Sequence, residues 1–214
     1  LAGYYAKQMG LPVGKLVCAS NKNNVLTDFI KTGTYDARRT FYKTTSPSMD
    51  ILISSNLERL LCHVSGSSEK VAGWMQELSA TGKYTVDAET LAKIQQSFAA
   101  GYADDADGAA EIKARFDGDH YLCDTHTAVA FRVAETRRTD APMVVLSTAS
   151  PFKFPRDVLT ALGGEAPASD FAAMAALTDK TGAEAPASLR ELDKQEVRFK
   201  TVLQPAEIRA AALK

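Results

Sequence analysis

The 214 residues carry 25 basic and 26 acidic side chains, a formal net charge of −1, and 45% hydrophobic residues. That suits one large or two small domains of an ordinary soluble globular protein. A balance so close to neutral offers no basic field for nucleic acid, and no apolar run is long enough to span a bilayer.

The chain opens at Leu1, inside a helical pattern with no N-cap residue before it, so it is expected to be part of a longer one. Leu1, Tyr4, Tyr5 and Gln8 share helical spacing, and Gly10 with Pro12 stops the pattern. Lys15 to Ala19 is an apolar run of strand length. Asn21 to Asn24 then cap a helix that runs to about Lys31–Gly33. A strand between two helices with short connections predicts an open α/β sheet whose strands are buried on both faces. Phe41 to Thr45 reads as a short or edge strand. Met49 to Ser65 repeats Ile51, Leu52, Leu57, Leu60, Leu61 and Val64 at helical spacing, with Asp50 or Ser48 as its cap.

From Ser67 to about Phe116 the chain turns polar and alanine-rich, predicting helices over 69–80, 88–102 and 106–116 that lie over the sheet edge. Asp87 is placed to cap the second. Asp104, Asp105, Asp107 and Gly108 have part of a calcium-loop pattern but lack its distal Glu, which favours a solvated turn. Residues 124–138 form an amphipathic helix that feeds a predicted strand, Met143-Val-Val-Leu146. The strand ends in Ser147-Thr-Ala-Ser-Pro-Phe-Lys-Phe-Pro155, the manner in which a buried parallel strand delivers hydroxyls to a ligand at its carboxyl end. A helix over 154–162 follows, stopped by Gly163-Gly164. Beyond it the pattern predicts an alanine- and proline-rich arm with one helix over 170–178, an edge strand over 196–202 and a terminal helix over 205–214. Cys18, Cys62 and Cys123 sit among apolar neighbours outside any CxxC pair, and read as reduced core thiols rather than metal ligands.

Five segments carry a resemblance: Leu1–Pro12, Val17–Phe29 with its Asn21-Lys-Asn-Asn24 cluster, Thr45–Leu60 with Ser46-Pro-Ser-Met-Asp50, Cys123-Asp-Thr-His-Thr-Ala-Val129, and Leu146–Pro155. In this order and spacing the chain resembles the carboxyl-terminal part of threonine synthase, in its longer fungal and proteobacterial form, over nearly its whole length. It departs from the family pattern at Thr125, where relatives carry Pro, and at Ser150, where they commonly carry His.

The resemblance implies a tryptophan-synthase-β-like α/β fold, pyridoxal-phosphate fold type II. Residues 1–65 and 123–164 would be parts of the large cofactor-binding domain, 66–122 a helical insertion and 165–214 a C-terminal arm. It implies a lyase that converts O-phospho-L-homoserine and water to L-threonine and phosphate with pyridoxal 5'-phosphate, in the cytoplasm, without membrane or nucleic-acid partners. The Schiff-base lysine and phosphate loop are expected upstream, in the missing amino-terminal part, so the 214 residues alone are expected to be inactive. Lys153 is the lysine inside the last motif, but a solvated ammonium is a poor substitute.

For cofactor contacts the resemblance points to Thr148, whose neutral hydroxyl would face the ring nitrogen, with Ser147 next to it, and to Ser46 and Ser48 near the ring face. Thr148 equally suits a threonine that satisfies its own turn. For substrate it points to Asn21, Asn24 and His126, against capping by the Asn cluster and a structural role for the histidine. A related phospho-lyase that makes 2-oxobutyrate, or a non-catalytic α/β interaction domain, remains open.

Overall fold

The computed structural model describes residues 1–213; Lys214, the last residue of the expected terminal helix, lies outside them. Helix α1 (Ala2–Gln8) precedes β1 (Leu16–Ser20), α2 (Val25–Thr32) and the short β2 (Thr34–Asp36). A 3₁₀ turn at Pro47–Met49 leads to α3 (Leu57–Ser65), α4 (Ser68–Thr81), β3 (Lys83–Thr85), α5 (Ala88–Ser97) and β4 (Phe98–Tyr102). Then come α6 (Asp105–Asp119), α7 (Thr125–Glu135), α8 (Pro155–Ala161), α9 (Asp170–Thr181), α10 (Ala187–Arg190) and α11 (Ile208–Ala212). No helix among the described residues is long and apolar enough to cross a membrane.

β1 and β4 pair in parallel, Leu16 opposite Phe98 and Ser20 opposite Tyr102, while β2 and β3 form an antiparallel pair. Successive side chains of a strand point to opposite faces. Accordingly Ala100 joins a core with Val25, Phe29, Leu61 and Ile94, whereas Gly101 lies against Val133 of α7. The parallel pair is therefore covered by helices on both faces, as such sheets require. A Cβ on Gly101 would stand 2.7 Å from Val133 Cγ1, so the missing side chain sets how closely α7 approaches β4. Gly33, at φ 77°, turns α2 into β2 and donates its N–H to Phe29 O, a left-handed cap that glycine adopts without penalty.

The first core closes on aromatic rings. Tyr35 and Tyr84 stack at 5.3 Å, with Phe29 edge-on to Tyr35 and Trp74 stacked on Tyr84. A second core gathers Ile112, Cys123, Ala128, Phe152, Val158, Leu159 and Leu177 from α6 to α9. Arg115 clamps α6 to α7: it donates to Glu111 and Glu135, both at 2.6 Å, and Glu111 is almost wholly buried.

Several expected elements differ. The helix expected over 88–102 ends at Ser97, and Phe98–Tyr102 is the strand that pairs with β1. Alanine-rich sequence favours helix, but the ladder to β1 outweighs that weak preference. Residues 66–122, expected as a helical insertion, also contribute β3 and β4. The helix expected from Met49 begins only at Leu57, because Tyr35 donates its hydroxyl to Leu52 O and accepts from Ser54 N, holding that stretch in another course. Residues 41–45 form no strand: Tyr42 spends both its N–H and C=O on the Asn23 side chain. Met143–Leu146 and residues 196–202 are not strands either. A strand exists through its ladder partner, neither run has one among the described residues, and Val144, Leu146, Phe199 and Val202 stand exposed. Cys62 is exposed rather than in the core, and Cys18 is half-buried. Burial pushes the Cys123 thiol up to about 12, with Asp124 adding to the effect.

Candidate functional site

β1 ends at Ser20, and the next residue, Asn21, is almost completely buried. Its Oδ1 accepts from Asn23 N at 2.9 Å, while its Nδ2 faces Thr44 Oγ1 and Asp50 Oδ1 at 2.8 Å and Ser46 Oγ at 3.1 Å. Asn23 donates from Nδ2 to Tyr42 O and to Asp50 Oδ1. Asp50 also accepts from Thr44 Oγ1 at 2.7 Å and Thr44 N at 3.0 Å. One carboxylate and two amides thus hold the segment 44–50 against the end of β1. A carboxylate is acceptor-only and an amide NH₂ carries two donors, so the set is complementary by residue type. Asp50 and Asn23, which the sequence offers as helix caps, are spent on this framework.

The end of β4 fixes the same segment from another side. Asp104 caps α6, its carboxylate accepting from Asp107 N at 2.9 Å, and the neighbouring Asp105 accepts from Thr45 N and Thr45 Oγ1. The aspartate cluster is therefore a helix start plus a loop anchor. The segment lies at the carboxyl ends of both parallel strands, where open α/β sheets place their ligands.

A third anchor comes from α7. Asp124, wholly buried at its N-cap, accepts from His126 N, Thr127 N and Thr127 Oγ1, and its Oδ1 lies 3.1 Å from His126 Nδ1. Burial would push the Asp124 carboxyl up, but the hydrogen bonds from His126 and Thr127 outweigh it and hold the group below the usual carboxylate range. The buried His126 ring packs on Phe154 with centroids 4.7 Å apart, and its Nε2 accepts from Ser48 N at 3.0 Å.

Of the residues expected at the site, Asn21, Ser46, Ser48 and His126 are therefore connected through the 44–50 segment. Ser147 joins them at its margin, its Oγ 3.5 Å from Thr127 Oγ1. Ser46 is buried and its hydroxyl engaged by Asn21 and Thr44, whereas the Ser48 side chain is exposed. Asn24 stands apart: it is half-buried and accepts at Oδ1 from Arg39, whose guanidinium also pairs with Asp28 at 2.9 Å. Thr148 is exposed, with no hydrogen-bond partner among the described residues. Ser150 caps the turn Pro151–Lys153, and Lys153 is exposed with Nζ 5.8 Å from the Phe154 ring centroid. Sequence reasoning missed Thr44, Asp105 and Thr127. The signal that could have found them is the run of short hydroxyls facing an Asn- and Asp-rich turn.

A family model described as "Threonine synthase, C-terminal" matches residues 127–211. The chain is 41% identical over 168 residues to threonine synthase-like 1 from Pongo abelii, and 37% identical over 183 residues to threonine synthase from Saccharomyces cerevisiae. These matches cover 76% and 77% of the chain. The crystal structure of PLP-bound threonine synthase from Brucella melitensis superposes on it at a TM-score of 0.82, with 37% identity across 99% of the chain. Residues 127–211 belong to the threonine synthase C-terminal family. The chain spans 22% of the Pongo abelii relative, 36% of the yeast one and 42% of the Brucella structure. The α/β fold is that of threonine synthase, the pyridoxal-phosphate fold type II. The region matched to the family model includes α7 from Thr127 onward and the Ser147–Thr148 segment, while Asp124 and His126 lie just before it.

Proposed function

We propose that this chain forms part of a threonine synthase that converts O-phospho-L-homoserine and water to L-threonine and phosphate, acting in the cytoplasm. The observation that carries the reading is the match to the PLP-bound Brucella enzyme over 99% of the chain, with the polar framework at the carboxyl ends of β1 and β4. The rest of the same polypeptide, about two thirds of the relatives' length, is its proposed partner.

The residues present fit pyridoxal phosphate in one respect that the chain itself displays. Thr148 offers an exposed, unengaged neutral hydroxyl, the donor type assigned to the ring nitrogen, with Ser147 beside it. When bound, the cofactor supplies an electron sink for the γ-elimination of phosphate and the β-addition of water. Ser48, exposed on the 44–50 segment, would meet the ring, and Ser46 would support that segment from within through Asn21 and Thr44. Asn21 acts on substrate by shaping that segment. Asn24 brings the Arg39 guanidinium to the start of α2, a planar donor suited to a phosphate.

The test uses the full-length protein that carries this chain, given O-phospho-L-homoserine. Threonine and phosphate in equal amounts are expected. Release of 2-oxobutyrate and ammonia instead would establish a phospho-lyase. No turnover would leave a non-catalytic domain. Thr148→Val should lower turnover by about one to two orders of magnitude, the effect of removing one catalytic hydrogen bond. Unchanged turnover at full cofactor occupancy would take Thr148 out of the site.

A further inference from the structure

His126 has both ring nitrogens committed. Nδ1 faces Asp124 Oδ1 at 3.1 Å, and Nε2 faces the backbone N–H of Ser48 at 3.0 Å. An ionised carboxylate can only accept and a backbone N–H can only donate, so Nδ1 must carry the ring hydrogen and Nε2 must be bare. The ring is thereby neutral and held in one tautomer. It is buried and packed on Phe154, with no nitrogen left for a ligand. Among the described residues, Ser48 N–H to Nε2 is the one hydrogen bond that ties the 44–50 segment to α7; the remaining ties run to the Asn21–Asn23 turn and to Asp105.

We propose that His126 is a positioning residue: a neutral, single-tautomer latch that fixes the Ser46–Asp50 loop through the Ser48 backbone and does not itself touch substrate. Its consequence for catalysis rests on reading that loop as part of the cofactor and substrate site. Asp124 sets the tautomer, the bare Nε2 sets the place of Ser48, and the exposed Ser48 side chain is held where the rest of the site meets it.

The test is made on the full-length protein. Nitrogen-15 spectra of the histidine rings should show His126 with a protonated Nδ1 and a bare Nε2; a hydrogen on Nε2 overturns the latch. His126→Asn keeps an amide N–H for Asp124 but removes the acceptor, whereas His126→Gln returns an amide oxygen near the Nε2 position. Exchange of the Ser48 amide hydrogen should quicken by about tenfold in His126→Asn and fall back toward the wild-type rate in His126→Gln. Unchanged exchange in His126→Asn overturns the proposal. So does equal acceleration in both variants, since lost ring packing rather than a lost acceptor would then free the loop. The apparent KM for O-phospho-L-homoserine should rise by about tenfold in His126→Asn with kcat far less affected. Faster exchange with unaltered kinetics upholds the latch and removes the loop from the substrate site, so the two readings fail separately.

Discussion

Asp124 holds the start of α7 with a carboxylate that is wholly buried and accepts from two backbone N–H groups, a threonine hydroxyl and the His126 ring. Its folded-state pKa lies below the ordinary carboxylate value despite the opposing effect of burial. The unfolded chain therefore binds the proton more readily than the folded one. The stabilisation from Asp124 is present above the unfolded pKa and is lost as pH falls through the folded one. Asp124→Asn replaces one acceptor oxygen by a donor facing donors, at a cost of about 1–3 kcal/mol near neutral pH. The measurement is a pair of denaturant titrations, at neutral pH and well below the carboxylate range. The gap between wild type and variant should shrink in acid. A gap that stays constant with pH would mean that Asp124 acts by shape rather than charge.

At the level of elements, the contact of α7 with β4 depends on Gly101, where an added Cβ would meet Val133 Cγ1 at 2.7 Å. Gly101→Ala should lower stability by about 1–3 kcal/mol through overpacking, and in a Val133→Ala background it should cost far less. Additive effects in that double-mutant cycle would show that the helix yields freely. The same contact explains what the sequence conceals. Phe98-Ala-Ala-Gly-Tyr102 has the composition of a helix end, and only its ladder with β1, far away in sequence, makes it a strand. By contrast the starts of α5 and α7 are legible because they are written locally, in Asp87 and Asp124 before periodic apolar runs. The site divides in the same way. The hydroxyl and amide residues Asn21, Ser46 and Ser48 stand out as a motif, but the Asp50 hub and the Asp124–His126–Ser48 link join residues 78 apart or more locally ambiguous ones, and depend on tertiary packing.

Across the whole molecule, the apolar runs that read as strands but find no ladder are informative about what the chain docks against. Val144 is 79% and Leu146 74% exposed, beside hydroxyls proposed to face the cofactor. An exposed β-branched run of strand length is a ready template for pairing, and soluble proteins ordinarily keep such runs covered. The relatives are more than twice as long as this chain, so the proposed cover is the remaining length of the same polypeptide, with Met143–Leu146 entering its sheet as a buried strand. The double substitution Val144→Lys, Leu146→Lys separates the two situations. In the isolated 214-residue chain it should reduce aggregation and leave the thermal midpoint nearly unchanged, because both side chains already meet water. In the full-length protein it should destabilise by about 2–5 kcal/mol and lower cofactor retention, because two ammonium groups would enter an apolar layer next to Thr148. Thermal denaturation of both proteins, with and without the substitutions, makes the comparison. Equal tolerance in the two would place this run on the surface of the full-length enzyme and withdraw the strand from the cofactor site.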